Sequence, residues 1–279
     1  MAAVEALPPL REVIREAGLD ARRSLGQNFL LDLNLTGRIA RTAAPLDGVV
    51  VEIGPGPGGL TRALLLAGAE KVIAIEKDSR AIAALAPLVK AAQGRLEIIE
   101  SDALEVDISR LAPKGTRCQI VANLPYNIAT TLLLNWFDAV DCLAAMTLMF
   151  QREVGQRITA PPGTSAYGRL SVISQWLCET TMLFDIPPRA FVPPPKVTSS
   201  VVRLIPRAQP LAEAEKARLE DVTRVLFGQR RKMLRASAKA IGGQALLDAA
   251  GIDGQSRPEK LSVEDFCALA EALRLQPDQ

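Results

Sequence analysis

Apolar and polar positions alternate in two different rhythms along the chain, and the rhythm changes near its three-quarter point. Leu10, Val13, Ile14 and Ala17 recur at helical spacing and Gly18 ends the pattern, which predicts a short opening helix. Leu35, Ile39 and Ala43 predict the inner face of the next helix, with Asp32 or Asn34 as its cap. The run Val49-Val50-Val51-Glu52-Ile53 reads as a buried strand, followed after a glycine-rich turn by a helix over 60–66. Further strands are predicted at 71–76, 96–100, 119–122 and 144–150, with helices over 79–90 and 130–137 between them. This alternation predicts an α/β fold with a doubly wound, Rossmann-like parallel sheet. Residues 151–160 read as a mostly polar stretch, 166–177 as a helix, 184–195 as a proline-rich connection and 197–204 as a last apolar strand.

Pro206 and Pro210 mark a boundary, beyond which the pattern is purely helical. Leu219, Val222 and Leu226 define one inner face there, and Leu234, Ala238 and Ile241 another. Ser262 with Asp265 resembles a capping box for a final helix ending near Arg274. The expected organisation is therefore a large domain over 1–206 and a small all-helical one over 207–279.

Doubly wound sheets bind ligands beyond the carboxyl ends of their strands, where the strand order reverses. Gly54 and Gly56 fall there, directly after the first strand, and remove side chains from the path of a ligand. Glu76 ends the second strand, placed to accept from two ribose hydroxyls; Asp102 follows the third, placed to accept from the amino group of an adenine. The spacing Gly54-x-Gly56-x-x-Gly59 also fits a dinucleotide fingerprint. For the glycines the plainer alternative is a tight strand-to-helix turn, and for the carboxylates it is solvation.

Asn123-Leu124-Pro125-Tyr126 joins an amide acceptor, a carbonyl restrained by the following proline and an aromatic face. Two acceptors beside a ring suit an exocyclic aromatic amine, whose N–H groups they hold while the ring stacks on the base. The alternative is an ordinary Asn-Xaa-Pro turn with Tyr126 in the core. Phe191, which precedes three consecutive prolines, is a second candidate aromatic, with core packing as its alternative.

Composition narrows the chemistry. The chain of 279 residues has 48% hydrophobic and 23% charged residues and a net charge of +2, the profile of a globular protein with no global demand for an anionic partner. It contains no histidine, which removes Ser-His-Asp and Cys-His catalysis, His-ligated zinc and imidazole acid-base work. Cys118, Cys142, Cys178 and Cys267 are scattered, so reduced thiols and no metal site are expected. No apolar run approaches the ~20 residues that span a bilayer, and the first residues lack a signal-peptide pattern, so a cytoplasmic protein without membrane partners is expected, as a monomer. Arg230, Arg231, Lys232 and Arg235, with Lys239 beyond, form a run without acidic residues. Phosphate contact is one reading and a solvated helix face, shared by Lys232, Arg235 and Lys239, the other.

Six motifs in order, Gly26-Gln27-Asn28-Phe29-Leu30, Glu52-Ile53-Gly54-Pro55-Gly56, Asn123-Leu124-Pro125-Tyr126, Tyr167-Gly168-Arg169-Leu170-Ser171, Phe191-Val192-Pro193-Pro194-Pro195-Lys196-Val197 and Arg230-Arg231-Lys232, span nearly the whole chain. Together they resemble the KsgA/RsmA family of adenine dimethyltransferases that modify small-subunit ribosomal RNA. The resemblance implies transfer of methyl groups from S-adenosylmethionine, with S-adenosylhomocysteine as product, to the exocyclic amines of two adjacent adenosines in a hairpin near the 3′ end of 16S rRNA within the immature small subunit, a step in ribosome biogenesis. It implies that Asn28, Leu30, Gly54, Glu76, Asp102 and Asn123 contact the methyl donor, that Asn123, Leu124, Pro125 and Tyr126 hold the target base and that Phe191 covers its other face. The helical domain, with its basic run, would help to grip RNA. Three competing readings are a large-subunit rRNA methyltransferase of the macrolide-resistance type, a nicotinamide oxidoreductase, and an assembly factor whose binding outweighs catalysis.

Overall fold

Local sequence chemistry explains most of the element boundaries in the computed structural model, which describes residues 2–19 and 27–275. The residues Arg22 to Gly26, including the first position of the Gly26–Leu30 motif, lie outside the described residues. The chain opens with α1 (Ala2–Glu5), which the periodicity did not predict, and α2 (Leu10–Glu16). The short strand β1 (Phe29–Leu30) precedes Asp32, whose carboxylate accepts from Asn34 N at 2.8 Å and Leu35 N at 3.4 Å and so starts α3 (Leu33–Ala43). All five residues of β2 (Val49–Ile53) are buried. Then come α4 (Gly59–Leu66), β3 (Lys71–Glu76), α5 (Ser79–Ala91), β4 (Leu96–Glu100), β5 (Cys118–Asn123), α6 (Ala129–Phe137) and β6 (Leu143–Gln151).

Two elements that the sequence did not predict follow. The polar segment after β6 is a helix, α7 (Arg152–Thr159), because Gly155 and Ile158 supply enough of a buried face. After α8 (Arg169–Leu177) the chain forms β7 (Cys178–Ile186), an unpredicted strand whose half-buried residues carry little alternation. The strands β8 (Phe191–Val192) and β9 (Ser199–Pro206) follow.

The main sheet runs β4-β3-β2-β5-β6-β9-β7. Strands β4, β3, β2, β5 and β6 are parallel, and β9 joins β6 antiparallel. From β2 the chain moves first to one side, through β3 and β4, then returns to place β5 on the other. The order therefore reverses between β2 and β5, which opens a crevice at their carboxyl ends. The apolar core wraps this sheet with residues such as Ile39, Val50, Leu64, Leu85 and Val121.

The chain divides into two units, one of residues 1–155 with 182–206, the other of 156–181 with 207–279. The first holds the crevice. The second contains α9 (Lys216–Gly228), α10 (Leu234–Ser237), α11 (Gly243–Ala249) and α12 (Val263–Arg274), and it also includes 156–181, which the sequence had grouped with the larger domain. The reason is apolar and aromatic: Tyr167 meets Phe227 edge-on at 5.9 Å, and Phe227 stacks on Phe266 at 5.2 Å, so α8, α9 and α12 share one core. The capping box at Ser262 and Asp265 forms as expected, with bonds of 2.8 and 3.0 Å.

Candidate active site

The turn after β2 makes the floor of the crevice. Gly54 and Gly56 both adopt positive φ, +64° and +54°, where a side chain is strained. A Cβ on Gly56 would stand 3.0 Å from the Phe29 ring, so the floor has no room for one. The Gly56 N–H donates to Glu76 Oε2 at 3.3 Å, and Lys77 N and Asp78 N donate to Oε1, both at 2.9 Å. Glu76 is thereby locked at the end of β3. Its burial raises the carboxyl above the usual range, partly offset by those three backbone donors.

Asp102 stands beyond β4 and caps the next turn, accepting from Leu104 N at 3.0 Å, while Lys77 Nζ sits 3.0 Å from its other oxygen. The Leu104 N–H and the Lys77 ammonium hold Asp102 below the ordinary carboxylate range. Lys77 was not singled out from the sequence. It follows a strand-end glutamate, a position that now reads as a brace across the β3 and β4 ends.

The N-terminal segment walls the crevice. Strand β1 pairs antiparallel with β8, Phe29 opposite Val192 and Leu30 opposite Phe191. Gln27 Nε2 donates to Asp78 Oδ2 at 3.2 Å, and Arg80 binds the same carboxylate at 2.7 Å. The Arg80 guanidinium holds Asp78 down to about 2. Neither Gln27 nor Asp78 was named as a site residue, since the polar contact between them joins residues 51 apart. Asn123, at the end of β5, donates from Nδ2 to the Asn28 carbonyl at 3.2 Å. Its Oδ1 is left as an acceptor.

Beyond Asn123 the side chain of Leu124 is buried, and the Pro125 carbonyl accepts from Ile128 N at 3.1 Å, closing a turn that starts α6. Tyr126 is half-buried, and its hydroxyl lies 2.6 Å from Ser199 Oγ in β9. The crevice is lined by Asn28, Leu30, Gly54, Glu76, Asp102 and the whole of Asn123–Tyr126, so nine of the ten candidates for donor and base meet in one place, with Phe191 as the exception.

Phe191 requires a correction. Its ring is 2% exposed, packs in the apolar core with Leu30 and Val201, and does not line the crevice. Pairing with β1 turns it inward, so the core-packing alternative describes it. The basic run needs another. Arg230, Arg231 and Lys232 lie in the turn after α9, outside any helix, so only Arg235 and Lys239 of the expected face belong to helical turns. Arg230 is engaged within its own unit, donating to Thr164 O at 2.9 Å; Arg231, Lys232 and Arg235 are exposed.

Two further groups define the electrostatics. Glu52, inside β2 and fully buried, is pushed up to about 8, chiefly by burial and also by the Glu76 carboxylate, with Thr61 opposing. Burial likewise pushes the thiols of Cys118 up to about 11 and of Cys178 and Cys267 up to about 12, and raises Cys142. Among the described residues no group of histidine, cysteine or carboxylate side chains is arranged to hold a metal, and no helix is long and apolar enough to cross a membrane.

The strand order and the place of the crevice within it define the class of the molecule as a Rossmann-like methyltransferase. Two solved structures share that arrangement: a dimethyladenosine transferase from Plasmodium falciparum, with a TM-score of 0.74 and 27% identity over 85% of this chain and 94% of that one, and the 23S rRNA methyltransferase ErmE, at 0.69 and 29% over 88% and 100%. The chain belongs to the ribosomal RNA adenine dimethylase family, whose model matches residues 18–275. Among its relatives, a ribosomal RNA small subunit methyltransferase A of Agrobacterium fabrum is 58% identical over 98% of this chain and 100% of the relative, and one of Rhodospirillum rubrum is 60% identical over 96% and 93%. The protein is an enzyme that methylates adenine in ribosomal RNA.

Proposed function

We propose that this enzyme uses S-adenosylmethionine to dimethylate the exocyclic amines of two adjacent adenosines near the 3′ end of 16S rRNA in the immature small subunit, in the cytoplasm. The observation that carries the reading is the Asn123 amide, anchored through Nδ2 on Asn28 O so that Oδ1 is available at the point where the crevice meets Tyr126. The small-subunit target is supported by identities near 60% to relatives of that name, against 29% to the 23S rRNA enzyme. Within this reading residues 207–279 form the RNA-gripping domain, with Arg230, Arg231, Lys232 and Arg235 contacting phosphates and Arg230 also serving its own fold.

The crevice fits the proposed methyl donor. The side-chain-free floor at Gly54 and Gly56 admits close backbone approach, the Glu76 carboxylate retains lone pairs for ribose hydroxyls, and Asp102 stands where an adenine amino group would donate. Asn28 and Leu30 close the side wall. When bound, S-adenosylmethionine supplies a methyl group made electrophilic by its sulfonium.

Asn123 Oδ1 and the Leu124 carbonyl accept the two N–H groups of the target amine, drawing nitrogen toward tetrahedral geometry and freeing its lone pair. As positive charge develops on nitrogen, these dipoles stabilise it, so the attacking amine requires no strong base and the proton leaves afterwards to water. Pro125 fixes the path of the backbone, and Tyr126 receives the face of the base. A base must leave its stack to reach them, at a few kcal/mol, which favours a loop or distorted helix as target. A monomethylated amine still offers one N–H, so the same acceptors serve a second transfer.

Incubating immature small subunits with the protein and S-adenosylmethionine, then mapping 16S rRNA by mass spectrometry, tests the reading. Two methyls on each of two neighbouring adenosines, absent with Asn123→Ala, are expected. Folded wild-type protein that binds the subunit yet transfers nothing, or that modifies large-subunit RNA instead, would overturn it.

A further inference from the structure

Tyr126 lies in the loop beyond β5, in a segment with no sheet partner of its own, yet its ring is tied at both ends. At the backbone end Pro125 restricts φ and the Pro125 O to Ile128 N bond closes the turn. At the hydroxyl end the partner is Ser199 Oγ at 2.6 Å, 73 residues away in sequence. Ser199 is fully buried and begins β9, where it stands opposite Gln151 of β6; the neighbouring Thr198 carbonyl accepts from Arg152 N at 2.9 Å. The serine therefore hangs from the sheet itself. A tyrosine has two side-chain torsions, and anchoring its far end to a strand removes the freedom of both.

We propose that Ser199 is a positioning residue for methyl transfer, its hydroxyl holding the Tyr126 ring at the angle at which it receives the face of the extruded adenine. The inference rests on the proposed role of Tyr126 as the stacking surface. The alternative is mutual satisfaction of two buried hydroxyls, which would affect stability alone. The two differ in what they do to the reaction: a ring left free to swing still offers area for the base but no longer fixes its amine against Asn123 and Leu124. The loss then falls on the rate of transfer at saturation, with binding of the methyl donor spared.

The test compares wild type, Ser199→Ala, Tyr126→Phe, the double variant and Ser199→Thr in methylation of unmodified small subunits, with S-adenosylhomocysteine affinity measured by calorimetry and folding by thermal melting. Tyr126→Phe keeps the ring and removes only the hydroxyl, so it reports on the bond even if Ser199→Ala unfolds. The expected result is a fall in kcat of about tenfold or more for each single change, since small misplacements at a reacting centre are costly. The double variant should be no slower than either single, Ser199→Thr should recover most of the rate, and S-adenosylhomocysteine affinity should stay within about twofold. Wild-type rates in folded Tyr126→Phe, or losses that multiply in the double variant, would overturn the role of Ser199. An active wild type with such variants leaves the site reading standing; an inactive wild type removes that reading and this inference together.

Discussion

Asn123 Nδ2 and the Asn28 carbonyl are 3.2 Å apart, so the side chain that would hold the target amine is itself held by the wall of the donor crevice. One amide thus faces two ways: its nitrogen end is committed to the Asn28 carbonyl, and its oxygen end is left for the proposed target amine. Both ends are needed.

Asn123→Asp removes the nitrogen end. A carboxylate lacks the donor that Asn28 O accepts and sets an oxygen in its place, so the wall loses a tie worth about 1 kcal/mol and gains a repulsion. S-adenosylhomocysteine affinity measured by calorimetry should fall roughly fivefold or more, and single-turnover methylation should fall by about 10²-fold or more. Unchanged donor affinity would show that the Asn28 contact does not shape the crevice.

Glu76→Gln keeps the size of the side chain but turns one acceptor oxygen into a donor, facing either Gly56 N–H or the paired N–H groups of Lys77 and Asp78. Losing charge-assisted bonds of about 1.5–3 kcal/mol should weaken donor affinity roughly 10- to 100-fold. Small-subunit binding, followed by sedimentation, should be retained. Equal loss of both would merge the two activities.

Gly56→Ala is expected to cost ~1–2 kcal/mol, because φ is +54° and the new Cβ would press on the Phe29 ring. Urea unfolding measures that cost, and displacement of β1 should appear as weaker donor binding. Gly68, which also has positive φ but meets open space, provides a control in which only the backbone cost remains.

Glu52 ties stability to pH. Its carboxyl is raised from 4.5 to about 8, so the folded state holds this proton more tightly than the unfolded chain does. Its contribution is fully present below pH 4.5 and is lost as pH rises toward 8, at no more than about 1.4 kcal/mol per pH unit. Asp78, lowered to about 2, acts the other way and only in acid, its contribution disappearing as pH falls below 3.8. Denaturation of Glu52→Gln across pH 5 to 8 should be flatter than that of the wild type, and the variant the more stable at pH 8. Parallel curves would exclude Glu52 as the titrating group.

Removing the exposed cations together, as Arg231→Ala, Lys232→Ala and Arg235→Ala, should weaken binding to rRNA evenly across sequences and flatten the slope of log affinity against log salt by roughly 2 to 3. An unchanged slope would place the phosphate contacts elsewhere.

The parts of the molecule most legible in the sequence are those set by neighbouring residues. Val49–Ile53 and Lys71–Glu76 declare themselves as strands because each holds a short run of apolar, mostly β-branched residues, and Ser262 and Asp265 declare their helix by a local cap. The crevice lining was legible because strand-end position locates Gly54, Glu76 and Asp102, while the amide, restrained carbonyl and ring of Asn123–Tyr126 marked that stretch by its chemistry. What escaped depends on partners distant in sequence. β7 has weak alternation, the inward turn of Phe191 follows from pairing with β1, and the ties from Gln27 to Asp78 and from Tyr126 to Ser199 join residues 51 and 73 apart. No window of local sequence contains such information.

The proposed methyl donor is a sulfonium, an electrophile open to attack by other nucleophiles beside the target amine, so a chain that binds it gains from presenting few of its own. The sequence contains no imidazole. Three of its four thiols are buried with ionisation pushed up to about 11 or 12, and the fourth is also raised, so the reactive thiolate is scarce at neutral pH. The amine at the crevice, Lys77, is engaged with Asp102. With the proposed donor bound, selectivity for the RNA base would be partly subtractive, the chain leaving the reagent few other places to react.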